Sequence, residues 1–298
     1  HALKGVDLTI KKGETHCLAG ENGCGKSTII KVISGFYKPD GGSIEVDGKA
    51  YPVMTPAEAI KAGIHVIYQD FSIFPNLTVI ENLAFNQVLA NKKKFVNKKE
   101  FRRIAEEAVA KINFDVDLDA LVETLPVADK QLIAISRALL DNAKLIIMDE
   151  PTTALTKKEV KRLFEIIAQL KANGVTILFV SHKLEISDSI TIMRNGENVI
   201  SCPTSEMTEE KFTYYMTGRH FEDKKDDNTE KKIGKTVLEV NNLSAPGFEN
   251  ISFDLHEGEI LGITGQLGSG RTELSLALSG MLKPTEGTIK LEGKDVKF

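Results

Sequence analysis

The chain has 298 residues, 42% of them hydrophobic, with a formal net charge of −4 and a pI near 6.0. This length and apolar fraction favour two packed domains, and the mild acidity gives no electrostatic argument for nucleic acid as a partner. The three cysteines lack the spacing of a disulfide framework, and no apolar run approaches the ~20 residues that span a bilayer, so a role at a membrane requires a membrane partner.

Short β-branched runs alternate with amphipathic segments along most of the chain. We predict strands at Val6–Ile10, Glu14–Ala19, Ser43–Val46, His65–Tyr68, Leu145–Asp149 and Thr176–Ser181, and helices at Lys26–Ser34 and Lys157–Ala172. The last two strands are continuous apolar runs, as buried parallel strands require. This alternation predicts an α/β fold with a parallel sheet.

Between Leu77 and Leu140 the strand pattern disappears. Val79–Leu89 and Glu100–Ile112 are predicted helices, so we expect a helical insert at about 77–140 within the α/β domain. A basic cluster runs from Lys92 to Arg103. We interpret it as a solvated helical face, with contact to nucleic acid or lipid as the alternative.

The chain contains an internal repeat. Residues 3–49 align without a gap on residues 248–294, and thirteen of these 47 pairs are identical. The segment 218–236 between the copies is highly charged, which predicts a flexible linker between a first domain at 1–217 and the start of a second domain at 237–298. We expect the chain to be an excised piece that lacks a short N-terminal segment and most of the second domain.

A glycine-rich loop joins a predicted strand to a predicted helix. It consists of Gly20, Glu21, Asn22, Gly23, Cys24, Gly25, Lys26, Ser27 and Thr28. Its glycines let backbone N–H groups converge on phosphate oxygens, and the helix N-terminus adds a favourable dipole. We predict that Lys26 reaches the β- and γ-phosphates and that Ser27 ligates Mg²⁺.

The repeat carries this loop a second time, with arginine in place of the lysine. The corresponding binding residues are Gly265, Gly268, Gly270, Arg271 and Thr272. Arginine keeps the positive charge, but its planar guanidinium does not replace a lysine ammonium group.

Four polar side chains follow the ends of predicted strands, where open α/β sheets bind their ligands. Asp149 and Glu150 end the strand at 145–149, so we predict that Asp149 holds Mg²⁺ through water and that Glu150 orients or deprotonates the attacking water. Gln69 is a candidate for sensing Mg²⁺ or this water, and His182 for donating a hydrogen bond to the γ-phosphate.

Taken together, these features resemble the ATP-binding cassette (ABC) ATPases. In chain order they are the loop at 20–28, Gln69, the helical insert, a signature segment, the Asp149-Glu150 strand end, Thr153–Thr156 and His182. The resemblance covers residues 1–217 and, as a partial repeat, 237–298. It implies an ABC-type P-loop NTPase fold with ATP and Mg²⁺ as cofactors, and it strengthens the site roles of Gln69 and His182.

The same resemblance implies two unequal sites, because this family pairs cassettes head to tail, each ATP lying between one phosphate loop and the opposite signature segment. That segment is usually Leu-Ser-Gly-Gly-Gln and here is Leu125–Asp129. Pro126 lacks the serine hydroxyl, and Asp129 adds a negative charge near the start of a predicted helix at 130–140. This segment would face the Arg271 loop. We expect that site to bind nucleotide but turn over slowly, and the Lys26 site to be the competent one.

The tandem arrangement, Arg271 and the irregular signature resemble the ATPase subunits of bacterial importers for simple sugars such as ribose, galactose, arabinose and xylose. Related members carry nucleosides or a signalling furanone. This implies a cytoplasmic ATPase, peripheral on the inner face of the cell membrane, that works with an integral membrane permease and, through it, with a substrate-binding protein.

Two other functions are compatible with parts of the pattern. The first is a non-transport tandem ABC ATPase acting on ribosomes or DNA, against which the short linker of mixed charge and the acidic balance argue. The second is a P-loop kinase, against which the repeat and His182 argue. We therefore expect no nucleic acid partner.

Overall fold

The computed structural model describes residues 1–68, 73–90, 97–181, 184–219, 234–266 and 268–296. The chain divides into two compact units, 1–222 and 223–298. Most of the predicted linker lies outside the described residues, and the predicted domain limits stay a prediction. No helix in the described part of the chain is both long enough and apolar enough to cross a membrane.

The first unit is built around a six-stranded sheet. Its elements are β1 (Thr15–Ala19), α1 (Lys26–Ile33), β2 (Ile44–Val46), β3 (Lys49–Tyr51), α2 (Pro56–Ala62), β4 (Ile64–Ile67), α3 (Val79–Ala90), α4 (Lys98–Ala110), α5 (Val127–Leu140), β5 (Leu145–Asp149), α6 (Lys157–Ala172), β6 (Thr176–Val180), β7 (Ser189–Arg194), β8 (Glu197–Pro203) and α7 (Glu209–Thr217). The strand order is β4-β5-β6-β1-β7-β8. All neighbours are parallel except β8, which runs antiparallel to β7 at one edge.

Apolar side chains cover both faces of this sheet, which confirms the predicted parallel core. Successive side chains of a strand point to opposite faces. On β5, Ile146 and Met148 therefore pack in the core that includes α5 and α6, whereas Ile147 packs against Ile29 and Ile30 of α1. All five are buried. The central strands are thus packed on both faces, and the loops at their carboxyl ends extend from a well-packed sheet.

Helix ends follow local capping chemistry. Thr156 and Glu159 form a capping box at the start of α6, which spans the predicted residues. Helix α2 was not predicted, although Thr55 and Glu58 form the same reciprocal pair and Pro56 occupies the first turn. That signature was present in the sequence and indicates a helix start.

The predicted helical insert is confirmed. Helices α3 and α4 lie within two residues of their predicted limits, and they pack on each other and on α5. Helix α5 begins at Val127, so Asp129 lies inside its first turn instead of before it. On the basic face of α4, Arg102 donates to the carboxylate of Asp119 at 2.7 and 2.8 Å.

The prediction of a hydrogen-bonded strand at Val6–Ile10 is wrong. Val6, Leu8 and Ile10 do pack on the core at alternate positions, as the pattern required. The structure assigns no strand to them, because no described strand of the first unit pairs with this segment. A strand needs a neighbour for its ladder of hydrogen bonds, and a side-chain pattern cannot supply one.

In the described residues of the second unit, four strands form a sheet and one helix packs against it. Its elements are β9 (Thr236–Ala245), β10 (Phe248–His256), α8 (Arg271–Leu278), β11 (Glu286–Leu291) and β12 (Lys294–Asp295). The strand order is β10-β9-β11-β12, with every pair antiparallel. Val240, Leu243 and Ile289 pack with Leu274 and Ala277 of α8.

Candidate functional site

The loop between β1 and α1 is shaped by close backbone contacts. Gly25 precedes α1 with φ of 109°, in the left-handed region. A Cβ atom at Gly20 would lie 2.3 Å from the carbonyl oxygen of Met193 on β7. Only glycine fits these two positions without displacing the backbone. The carbonyl of Cys24 accepts a hydrogen bond from Gly196 at 3.0 Å, which anchors the loop to the turn between β7 and β8.

Lys26 lies inside this loop. Its residue is only 7% exposed, and its Nζ donates to the carbonyl oxygens of Gly20 at 2.6 Å and Glu21 at 3.0 Å. The ammonium group is therefore fixed at the centre of the ring of loop backbone. This is the position from which a single cation can contact a group cradled by the loop.

The other loop residues differ in exposure. Cys24 and Gly25 are buried, Thr28 is half-buried, and Glu21, Asn22, Gly23 and Ser27 are exposed. The Ser27 hydroxyl, at the N-terminal turn of α1, is thus accessible from solvent next to the buried Lys26.

Asp149 lies at the same edge of the sheet as this loop. It pairs in register with Val180 of β6, which in turn pairs with Leu18 of β1, just before the loop. Burial and the neighbouring Glu150 raise the pKa of Asp149, whereas the Lys26 ammonium opposes this shift. The strand ends thus bring two carboxylates and the loop lysine within electrostatic reach of each other.

Glu150 is held in an unusual backbone conformation. Its φ is 47°, in the left-handed region that non-glycine residues rarely adopt. Its N–H donates to the carbonyl of Val180 at 3.0 Å, and its carboxylate accepts from the Thr153 hydroxyl at 3.4 Å. Such strain is concentrated at functional sites. Glu150 as a residue is half-buried, directly after the end of β5.

A small cavity of about 190 Å³ lies beside these carboxylates. It is lined by Asp149, Glu150, Thr153 and Gln131 among others. Gln131 on α5 is 1% exposed, and neither atom of its amide has a hydrogen-bond partner among the described residues. Neither the contact of Thr153 with Glu150 nor the burial of Gln131 was predicted, because no local sequence signal marks either.

The predicted signature segment forms the start of α5. Pro126 is the residue that precedes the helix, and Asp129 lies in its first turn. Arg162 of α6 approaches the Asp129 carboxylate at 3.8 Å. Partial burial raises the pKa of Asp129, and Arg162 opposes this. The negative charge predicted at this position is therefore partly balanced by an arginine from another helix.

The second glycine-rich loop leads into α8. Gly270 precedes the helix with φ of 82°, and Gly268 also has a left-handed φ of 79°. Gly265, Arg271 and Thr272 are exposed. The Arg271 side chain thus differs from Lys26, which is buried in its loop.

Two predicted site residues, Gln69 and His182, lie outside the described residues. The strands that precede them, β4 and β6, end at Ile67 and Val180, on either side of β5 in the sheet. Their predicted roles stay predictions.

Comparison with known proteins identifies the family. A profile of the ABC transporter family matches residues 3–153 and 248–298. A crystal structure of the ADP conformation of an ATP-binding cassette of an ABC transporter is 30% identical, with a TM-score of 0.61 over 72% of this chain and 87% of that chain. A dimeric cassette bound to ADP and Pi is 27% identical, with a TM-score of 0.58 over 68% of this chain and 90% of that chain.

Similar curated proteins are sugar import ATP-binding proteins. The chain is 40% identical to the ribose import ATP-binding protein of Lactococcus lactis subsp. cremoris, over 99% of this chain and 60% of that protein. It is 38% identical to a putative ribose/galactose/methyl galactoside import ATP-binding protein of Burkholderia lata, over 100% of this chain and 57% of that protein. The chain thus spans about 60% of the length of these relatives. The chain therefore belongs to the ABC transporter family of ATPases, and its parallel-sheet core with a helical insert is the P-loop NTPase fold of that family's cassettes.

Proposed function

We propose that this chain is the ATP-binding and ATP-hydrolysing part of a bacterial importer for a simple sugar. The observation that carries the proposal is the juxtaposition of the buried Lys26 with Asp149 and Glu150 at one edge of the sheet. The names of the relatives, which import ribose, galactose or methyl galactoside, favour sugar as the cargo.

In this proposal, the backbone of residues 20–28 cradles the phosphates of ATP, and Lys26 moves from the loop carbonyls to the β- and γ-phosphates. Glu150 accepts the proton of the attacking water as it adds to the γ-phosphate, and the bond to the β–γ bridging oxygen breaks. The hydrogen bond from Thr153 helps to orient the Glu150 carboxylate. Gln69 would sense Mg²⁺ or this water, and His182 would donate a hydrogen bond to the γ-phosphate.

The oxygen donors near the loop fit Mg²⁺. This ion takes one or two protein oxygens and fills its remaining positions with water and phosphate oxygens. The half-buried carboxylate of Asp149 and the exposed hydroxyl of Ser27 match that requirement, and the described residues contain no cluster of three His, Cys, Asp or Glu side chains typical of a dedicated metal cage. Mg²⁺ would neutralise phosphate charge, with Ser27 as a direct ligand and Asp149 holding it through water.

The two nucleotide sites would have different roles. A second, head-to-tail cassette would bring its signature segment to the Lys26 site, and the Pro126–Asp129 segment would face an Arg271-type loop. The similar solved structure of a dimeric cassette bound to ADP and Pi supports such pairing. The buried Lys26 and the exposed Arg271 support a difference in phosphate contacts, so we assign turnover to the first site and retention of nucleotide to the second.

We assign the permease contact to an exposed aromatic pair near the helical insert. Phe74 and Phe85 pack edge to face with ring centroids 5.8 Å apart, and they are 43% and 38% exposed. Aromatic residues of this kind anchor protein interfaces. Such docking would place the chain on the inner face of the cell membrane, coupled through the permease to a substrate-binding protein.

Disruption of the gene is expected to abolish high-affinity uptake of one simple sugar. Radiolabelled ribose, galactose, arabinose and xylose would each be supplied to the disrupted strain. The wild-type gene should restore uptake and the Glu150→Gln variant should not, because ATP turnover resets the transporter. Glu165→Gln, which changes an exposed carboxylate on α6, is the matched control and should restore uptake.

Unchanged uptake of all four sugars would contradict the importer assignment for simple sugars. If nucleoside uptake were lost instead, the importer assignment would stand, but its cargo would be a nucleoside. Association with ribosomes and normal uptake would favour the non-transport alternative.

A further inference from the structure

Gln131 is a buried polar side chain that the proposed ATPase mechanism does not use. It lies on α5 and is 1% exposed, and neither atom of its amide has a hydrogen-bond partner among the described residues. A buried amide without a partner is costly, and buried polar groups in native proteins that lack a protein partner usually bond to ordered water. The amide of Gln131 therefore needs a partner in the space that it borders.

That space is the cavity beside the two carboxylates. It encloses about 190 Å³, and Gln131 lines it together with Asp149, Glu150 and Thr153. We call it the carboxylate cavity. One water molecule occupies roughly 30 Å³ in the liquid, so the cavity has room for more than one. Much of the remaining wall is apolar and is formed by Ile67, Val127, Pro151 and Ala154. A water here thus has few polar groups to bond, and the amide and the carboxylates are among them.

Glu150 is the carboxylate that lacks firm support. Its backbone is fixed by a left-handed φ of 47° and by the bond from its N–H to Val180. Its side chain, however, accepts only one hydrogen bond among the described residues, from the Thr153 hydroxyl at 3.4 Å. A carboxylate has about four acceptor positions, so it can accept a further donor. A second hydrogen bond would fix the orientation that one long bond leaves loose.

The chemistry of an amide and a water matches this need. The amide oxygen of glutamine accepts a hydrogen bond, and a carboxylate only accepts, so the two cannot bond to each other through their oxygens. One water molecule can donate a hydrogen to each of them. Bonds through a water are nearly as favourable as direct ones, and they join groups that lie too far apart for direct contact.

We infer that Gln131 is a positioning residue for the Glu150 carboxylate. Its amide oxygen accepts one hydrogen of a water in the carboxylate cavity, and the other hydrogen of that water is donated to Glu150. Gln131 itself contacts neither the nucleotide nor the attacking water. The inference rests on the proposed function, in which Glu150 is the general base.

The Gln131→Met variant tests this link, because methionine is flexible and similar in length but has no amide. Single-turnover hydrolysis, with the 298-residue chain in excess over ATP, should slow about tenfold. This corresponds to about 1.4 kcal/mol and matches the net value of one hydrogen bond. The affinity for Mg·ATP, measured by calorimetry, should stay unchanged. A purely structural Gln131 predicts an unchanged rate, because removal of a buried polar group without a partner also removes its desolvation cost.

Ser136→Ala is the matched control on the same helix. Ser136 is 0% exposed, and its hydroxyl also has no hydrogen-bond partner among the described residues. It does not belong to the lining of the carboxylate cavity. The variant should hydrolyse ATP at the wild-type rate. An equal loss in both variants would show that the packing of α5, and not the amide of Gln131, sets the rate, and the inference would be lost.

A high-resolution crystal structure of the wild-type chain gives a readout that requires neither a variant nor turnover. We expect a water within hydrogen-bond distance of both the Gln131 amide and the Glu150 carboxylate. A cavity without this water, or a wild-type rate in Gln131→Met, would overturn the inference. So would a fall in Mg·ATP affinity, which would link the amide to Asp149 instead. If Glu150→Gln also kept the wild-type rate, the proposed base itself would fail. If Glu150→Gln lost hydrolysis and Gln131→Met did not, only the role of Gln131 would fail.

Discussion

The Lys26→Ala variant is expected to bind Mg·ATP at least 100-fold more weakly than the wild-type chain. Hydrogen bonds from a charged donor contribute about 1.5–3 kcal/mol each, and Lys26 is positioned to make two to the phosphates. The same substitution removes the donor to the carbonyls of Gly20 and Glu21, so the loop also loses its internal support. Isothermal titration calorimetry measures the affinity, and circular dichroism verifies that the variant folds.

The repeat provides a matched control for this experiment. Arg271→Ala changes the cation at the equivalent loop position, but Arg271 is exposed and lies outside the proposed competent site. It should alter the ATP affinity of the Lys26 site by less than about threefold, well below the loss of one charged hydrogen bond, because Arg271 belongs to the other nucleotide site. If Arg271→Ala lowered ATP affinity more than Lys26→Ala did, the Arg271 loop and not the Lys26 loop would belong to the competent site.

The Glu150→Gln variant is expected to bind ATP with nearly wild-type affinity and to lose hydrolysis by a factor of about 10² to 10⁴, the range typical of a general base. Glutamine keeps the size of the side chain and a hydrogen-bond acceptor for Thr153, but it cannot take a proton at neutral pH. Single-turnover hydrolysis with protein in excess over ATP separates the chemical step from binding.

The control is again Glu165→Gln, an isosteric change on the exposed face of α6. It should leave both affinity and rate unchanged. If Glu150→Gln retained more than half of the wild-type rate, the base would have to be another group, and the strained backbone at Glu150 would need a different explanation.

The core of the fold was predictable because its signals are local and continuous. The apolar run at 145–149 and the amphipathic segment at 157–172 match β5 and α6 residue for residue. The hairpin of β7 and β8 was not predicted, yet Asn195 and Gly196 at its turn both have positive φ values and form a recognised hairpin signal. The capping box of α2 was a second readable signal.

Other features depend on contacts between distant parts of the chain. Arg162 approaches Asp129 from another helix, and Gln131 is buried by the fold beside the carboxylates. The left-handed φ of Glu150 is set by its bond to Val180 on the neighbouring strand. The segment at 6–10 has the side-chain pattern of a strand, but pairing depends on a neighbour that a sequence pattern does not provide.

The most direct test of the account is a crystal structure of this chain with Mg²⁺ and a non-hydrolysable ATP analogue. We predict the β- and γ-phosphates within the loop at 20–28, with Lys26 Nζ in hydrogen-bond contact, Ser27 and Asp149 at the metal, and Glu150 facing the γ-phosphate. A loop at 20–28 left empty while nucleotide binds elsewhere, or phosphates in this loop that do not contact Lys26, would contradict the claim that it is the competent ATP site.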